Sequence, residues 1–220
     1  MRKLEDAYLH KGLRRQLVQQ LQEKGITDER VLAAIGNIPR HFFLDSAFDK
    51  IAYEDRAFPI AANQTISQPY TVAYQTQLLQ IKKGDKVLEI GTGSMYQTTV
   101  LAEMGAKVYT IERQKQLFDQ TPKYIFKENY PDIHFFFGDG FEGLPDLAPF
   151  DKILITAAAP TIPEKLWEQL KVRGQMVIPV DESETAQRML RLTKKRDGTA
   201  KKESFDEFSF VPMLQGKTHK

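Results

Sequence analysis

The stretch Val87-Leu88-Glu89-Ile90-Gly91-Thr92-Gly93-Ser94-Met95-Tyr96 reads as a short apolar strand running into a turn. Its glycines lack side chains, so the backbone there can approach a ligand closely. A dinucleotide site requires G-x-G-x-x-G, and the sixth position from Gly91 is Tyr96, which excludes that fingerprint. What remains is an acidic residue, Glu89, two positions ahead of G-x-G, with Thr92 inside the turn. Two further carboxylates stand at strand ends. Glu112, about twenty residues on, is placed to accept hydrogen bonds from both hydroxyls of a ribose. Asp139, in Gly138-Asp139-Gly140, could accept from an adenine amino group, and Gly140 beside it is counted with the cofactor-binding residues. Singly, each acid also reads as a helix cap, a solvated strand end or a plain turn. The ordered set Glu89, Gly91, Gly93, Glu112 and Asp139 favours a cofactor that carries adenosine but no pyrophosphate.

A parallel sheet must carry these residues. Lys86 to Ile90, Lys107 to Ile111, Ile133 to Phe137, Lys152 to Thr156 and Gln175 to Val180 read as strands. Helices over Met95 to Met104, around Gln114 to Glu128 and over Pro163 to Leu170 alternate with them. That alternation predicts an α/β fold with a doubly wound, mostly parallel sheet covered on both faces. Ligands in such folds bind at the carboxyl edge, where Glu112 and Asp139 sit. Gln187 to Thr193 and Phe205 to Leu214 read as two closing strands, joined by the charged turn Lys194 to Gly198. A link too short for a crossover helix makes them antiparallel. Ahead of the sheet, residues 1–80 read as helical. Leu13, Leu17 and Leu21 recur at helical spacing, and Thr27 can cap a second helix carrying Val31, Leu32 and Ile35. Ser67 can cap a third, with Pro69 in its first turn. One domain over 1–220 is expected, with 1–80 on the substrate side and 81–220 as the cofactor-binding core.

An acid ahead of G-x-G, on a parallel sheet that closes with an antiparallel hairpin, resembles the Rossmann-like methyltransferases that use S-adenosyl-L-methionine. Two further segments sharpen the likeness: Gln64-Thr65-Ile66-Ser67-Gln68-Pro69-Tyr70, preceded by Tyr53-Glu54-Asp55-Arg56 and Pro39-Arg40-His41-Phe42, and Thr156-Ala157-Ala158-Ala159-Pro160 with Ile162-Pro163. With the final Phe210-Val211-Pro212, they resemble the protein-L-isoaspartate O-methyltransferase family from about Pro39 to Leu214, nearly the whole chain. The resemblance implies a repair enzyme that methylates the free carboxylate of L-isoaspartyl residues in damaged proteins. The ester then cyclises to a succinimide that opens partly to normal aspartate. It also implies that Ser67 is the catalytic residue and that Thr65, Ile66, Thr156, Ala157 and Val211 bind substrate. Otherwise Ser67 reads as a plain N-cap, Thr156 to Pro160 as a packed strand end, and Val211 as an ordinary strand residue.

The chain departs from the family at three glycines. Met95 stands third in the cofactor turn, and Ala61 and Asn63 precede the Thr-Ile-Ser motif. A residue with a Cβ at positive φ costs on the order of 1 kcal/mol, whereas a first helical residue costs nothing in the backbone. Two readings therefore stand: an active isoaspartyl methyltransferase, or a homologue that binds cofactor or protein without significant turnover. A small-molecule or RNA methyltransferase is a third.

Composition narrows the field further. With 41% hydrophobic residues and 27% charged over 220 residues, the chain has an ordinary globular make-up. The absence of cysteine excludes disulfides, thiolate metal sites and a cysteine nucleophile. His41 lies in the family's Pro-Arg-His segment, while His10, His134 and His219 show no ligand spacing, so no metal is expected. A net charge of +2 calls for neither nucleic acid nor an acidic membrane, and Lys194, Lys195, Arg196, Lys201 and Lys202 read as a solvated turn. No apolar run is long enough to span a bilayer, and the charged start does not read as a secretory signal. A cytoplasmic monomer acting on isoaspartyl peptides and proteins is the expectation.

Overall fold

The computed structural model describes residues 5–183 and 186–219. The charged start from Met1 to Leu4, on which the reading of the N-terminus relied, lies outside them. The sequence builds a seven-stranded mixed sheet among the described residues. Its strands are β3 (Lys86–Ile90), β4 (Lys107–Glu112), β5 (Ile133–Phe137), β6 (Phe150–Ile155), β7 (Leu170–Asp181), β8 (Gln187–Lys194) and β9 (Ala200–Phe208). Their spatial order is β5-β4-β3-β6-β7-β8-β9. The first five pair in parallel, and β7-β8 and β8-β9 pair antiparallel. The strand order reverses beside β3, which opens a crevice at the carboxyl ends of β3 and β4. A two-stranded hairpin, β1 (Phe58–Pro59) with β2 (Thr65–Ile66), stands apart from this sheet.

The central strands read as continuous apolar runs because both faces are covered. Val87, Leu88, Ile153 and Leu154 are all fully buried. One face carries α1 (Tyr8–Glu23), α2 (Glu29–Asn37), α3 (Pro69–Leu79) and α4 (Tyr96–Glu103). Leu17, Leu21, Val31 and Ile35 of α1 and α2 share one apolar cluster with Val87, Leu154 and Val177 of the sheet. A second cluster on the other face joins Leu88, Ile90, Phe150 and Ile153 to Leu166 of α6 (Glu164–Glu168). Among the described residues, no helix is long and apolar enough to cross a membrane.

Several elements differ from the expected ones. The helix expected around Gln114 to Glu128 is only α5 (Lys115–Phe118) and a short 3-10 turn, Thr121–Lys123. Pro122 lacks the N–H that a continuing helix would need. Strand β7 begins at Leu170, five positions early, and kinks where Arg173 takes a φ of 66° before Gly174. The last strand ends at Phe208, not Leu214. Beyond it Val211 and Met213 bond across Ala158, whose N–H donates to Val211 (2.8 Å) while the Met213 N–H donates back (2.6 Å). Asp28 and not Thr27 caps α2, accepting from the Arg30 N–H. The 1–80 region is not wholly helical, since the β1–β2 hairpin lies inside it.

Candidate active site

The cofactor turn forms because β3 must leave the sheet abruptly above β4. Gly91 and Gly93 have φ of 97° and 53°. A Cβ on Gly91 would stand 2.5 Å from the Thr156 hydroxyl, so the position is closed to side chains. Thr156 Oγ1 donates to the carbonyls of Ile90 (2.9 Å) and Gly91 (3.0 Å), which fixes the turn against β6. The hydroxyls of Thr92 and Thr110 lie 2.7 Å apart and are buried. Met95 has a φ of 70° and is the N-cap of α4. The costlier of the two expectations for this residue applies: its backbone is left-handed. Asn63 is left-handed too (φ 53°), along with its neighbour Ala62 (φ 57°), whereas Ala61 is not.

Glu112 ends β4 at the rim of the same cleft. Its carboxylate accepts from the N–H groups of Gly93 (2.9 Å) and Gln114 (2.8 Å). Burial raises its pKa against these backbone bonds. Each oxygen keeps a lone pair after those bonds, as a diol requires. Gly140 lies opposite, where a Cβ would come within 2.4 Å of Ile90 Cγ2. The missing side chain, flanked by Ile90, Ile111 and Met213, leaves an apolar slot suited to a flat ring beside the acidic rim. The donor set and the slot fit S-adenosyl-L-methionine.

Ser67 lines this cleft together with Gln64, Thr65, Ile66, Ala157 and Val211. It is not the cap expected for α3. Gln68 occupies the N-cap position, and its side chain makes no capping bond. The Ser67 hydroxyl has no hydrogen-bond partner among the described residues and is free for a ligand. Its carbonyl is held by Arg40, which is fully buried and donates to Ser67 (2.8 Å) and Ala52 (3.1 Å). The guanidinium carbon lies 4.8 Å from the ring centre of Tyr96, a cleft-lining residue at the start of α4. Burial brings the Arg40 pKa down to about 10.

Two expected site residues lie away from the cleft wall. Glu89 is fully buried behind it, accepting from Thr98 Oγ1 at 2.5 Å with Oε1 unpartnered. Burial pushes its carboxyl up to about 8. Asp139 accepts from the N–H groups of Phe141 (2.9 Å) and Gly216 (2.6 Å), so its carboxylate pins residues 215–218. Arg113 holds the same strap through the Gly216 carbonyl (3.0 Å). Pro212, Met213 and Leu214 thereby wall the cleft. Their role is invisible in sequence spacing, since they approach it by crossing Ala158 and not by strand order. Gln97 and Tyr96 were also missed, because a helix start signals only capping.

Of the basic hairpin residues, Lys195, Arg196, Lys201 and Lys202 are exposed, while Lys194 turns inward, its Nζ donating to the carbonyls of Trp167 and Leu170, both at 2.9 Å. Folding also brings together Asp6, His10 and His41, with the two imidazoles stacked at 3.8 Å. Asp6 is taken by Arg14 through both oxygens (3.0 and 2.8 Å), and His41 Nδ1 lies 2.7 Å from the Tyr53 hydroxyl.

Comparison with known proteins gives the family. The family model of protein-L-isoaspartate(D-aspartate) O-methyltransferase matches residues 12–218. A protein-L-isoaspartate O-methyltransferase of Christiangramia forsetii is 55% identical, covering 97% of this chain and all of its own length. One from Cytophaga hutchinsonii is 56% identical over 96% of this chain and 95% of its own. A structure described as a Plasmodium falciparum protein-L-isoaspartate O-methyltransferase in complex with S-adenosyl-L-homocysteine superposes with a TM-score of 0.78. It is 26% identical and covers 93% of this chain and 98% of its own.

Proposed function

The chain belongs to the protein-L-isoaspartate(D-aspartate) O-methyltransferase family, and from that premise we propose how its own residues serve the reaction. It is a repair methyltransferase that uses S-adenosyl-L-methionine to esterify the free carboxylate of L-isoaspartyl residues in damaged proteins. The observation that carries the reading is the meeting of Ser67, Val211, the Gly91–Gly93 turn and Glu112 in one cleft.

An α-carboxyl group has a pKa of roughly 3.5, so the nucleophile is already ionised and needs no base. When bound, S-adenosyl-L-methionine supplies a methyl group on a cationic sulfur, so the O–C bond forms as the S–C bond breaks and no proton moves. What remains for the protein is alignment and the removal of water. Glu112 accepts the ribose hydroxyls while Gly91, Thr92 and Gly93 let the ligand lie against the backbone. Gly140 makes room for the adenine, and Asp139 acts through the strap it holds. Ser67 donates its hydroxyl to the substrate carboxylate, with Arg40 fixing its backbone from behind. Thr65, Ile66, Ala157 and Val211 shape the space around that carboxylate, while Thr156 spends its hydroxyl on the turn. Glu89 supports the turn from beneath. Action as a cytoplasmic monomer without nucleic-acid partners belongs to the same proposal, and sedimentation of the purified protein checks the monomer.

The test is transfer of labelled methyl from S-adenosyl-L-methionine to an isoaspartyl peptide, compared with its aspartyl isomer. Base-labile label in the isoaspartyl peptide alone is expected. Equal labelling of the two isomers, or none at saturating cofactor, would refute the assignment.

A further inference from the structure

A second groove meets the cleft at Thr65, Ser67, Thr156 and Val211, which line both. It runs outward between the start of α3 and the end of β9, the strand at the free edge of the sheet. Tyr70 forms one wall, and Phe208 and Phe210 form the other. The Tyr70 and Phe208 rings stack with centres 6.2 Å apart, and Tyr74 packs 5.1 Å from Phe208.

The charges around this groove are unequal. Glu207 is neutralised by Arg188 at 2.5 Å, and Glu203 by Arg191 at 3.0 Å. Asp55, behind Tyr70, is taken by Lys24 at 2.6 Å. Asp206 also lines the groove but pairs with no cation among the described residues, and its Oδ2 accepts only the Tyr74 hydroxyl at 2.9 Å. Lys24 Nζ already stands 5.7 Å from the Tyr70 ring centre, so a further cation finds here a carboxylate without a counter-ion beside the Phe208 ring.

We propose that this groove seats the chain flanking the isoaspartyl residue, and that Asp206 with Phe208 selects a lysine or arginine side chain in that flank. The proposal rests on the methyltransferase reading, because it takes the isoaspartyl carboxylate to sit at Ser67. A peptide anchored there has this groove open to one of its flanks, since the two spaces share their inner wall. Asp206 is then a specificity residue and not a catalytic one.

The test uses the whole chain and isoaspartyl peptides carrying alanine, lysine or glutamate at each of the two positions on either side. On one side, lysine should raise kcat/KM over alanine by about threefold to tenfold, the range for an exposed ion pair joined by a ring contact, and glutamate should lower it. In Asp206→Asn the lysine-to-alanine ratio should collapse towards one, and in Asp206→Lys it should invert. With unmutated protein the ratio should shrink in about 1 M salt, where the screening length is about 3 Å. That measurement needs no variant to fold. Equal rates for lysine, alanine and glutamate peptides on both sides would overturn the proposal, as would a preference that survives Asp206→Asn. Failure to methylate the alanine peptide would remove the enzymatic reading and this proposal with it, and so is distinguishable from failure of the proposal alone.

Discussion

Replacing Glu89 by glutamine isolates the energetic consequence of a carboxyl group buried without a cation. In the folded chain its pKa is pushed up to about 8 by burial, from an ordinary value of 4.5. The Thr98 hydrogen bond opposes that shift, and the Glu112 charge adds to it. Below pH 4.5 both folded and unfolded chains carry the proton. Between 4.5 and 8 only the folded chain keeps it, so stability is greatest at low pH and falls as pH rises. The slope is about 1.4 kcal/mol per unit for one proton, or about 5 kcal/mol across the window. Above pH 8 both forms are ionised and the loss is complete. Glutamine is nearly isosteric and neutral throughout. Urea unfolding of both proteins at pH 5, 6, 7 and 8 gives the difference, in which titrations not coupled to Glu89 cancel. The variant should gain on the original by roughly 1 kcal/mol per unit over that range. A difference that is flat from pH 5 to 8, or that runs the other way, would refute an un-ionised Glu89.

Other perturbations bear on the site more directly. Met95→Gly removes a left-handed side-chain residue and should raise stability by about 1 kcal/mol in denaturant titration; no gain would mean the turn is not strained by its Cβ. Glu112→Gln should weaken S-adenosyl-L-homocysteine binding by about 2 kcal/mol, roughly thirtyfold by calorimetry, because a charged acceptor of hydroxyl hydrogen bonds is lost. Unchanged affinity would remove Glu112 from the ribose site. Ser67→Ala should cut kcat/KM for an isoaspartyl peptide by about tenfold, the value of one hydrogen bond to a carboxylate, while calorimetric affinity for S-adenosyl-L-homocysteine holds. An equal loss in both would make Ser67 structural.

Sequence reading reached what rests on local rules. The parallel strands were legible because doubly covered strands are largely apolar, as in Val87, Leu88 and Ile90 and in Ile153–Ile155. The turn at Gly91 and Gly93 was legible because few other residues tolerate such backbones. Tertiary facts were not. Glu89 and Glu112 are both strand acids, yet one faces a helix and the other the cleft, and the pattern does not say which. Nothing local marks Met213 as a cleft wall, because its place follows from the bond to Ala158. His10 and His41 lie thirty-one positions apart in sequence and stack only through the packing of α1. The Ser67 cap reading failed by a single position, a shift that decides whether its hydroxyl is free.

Arg40 is a mechanical part of the cleft. One guanidinium grips the carbonyl of Ser67 and lies over the Tyr96 ring at the start of α4, with no water-exposed surface to let it slip. The two halves of the cleft are therefore not independent bodies, since displacing Ser67 drags on Tyr96. Occupation of either half should then stiffen the other, and such coupling is reciprocal. Cutting the strut with Arg40→Met would show itself as lost cooperativity: each ligand would cease to sense whether its neighbour was bound.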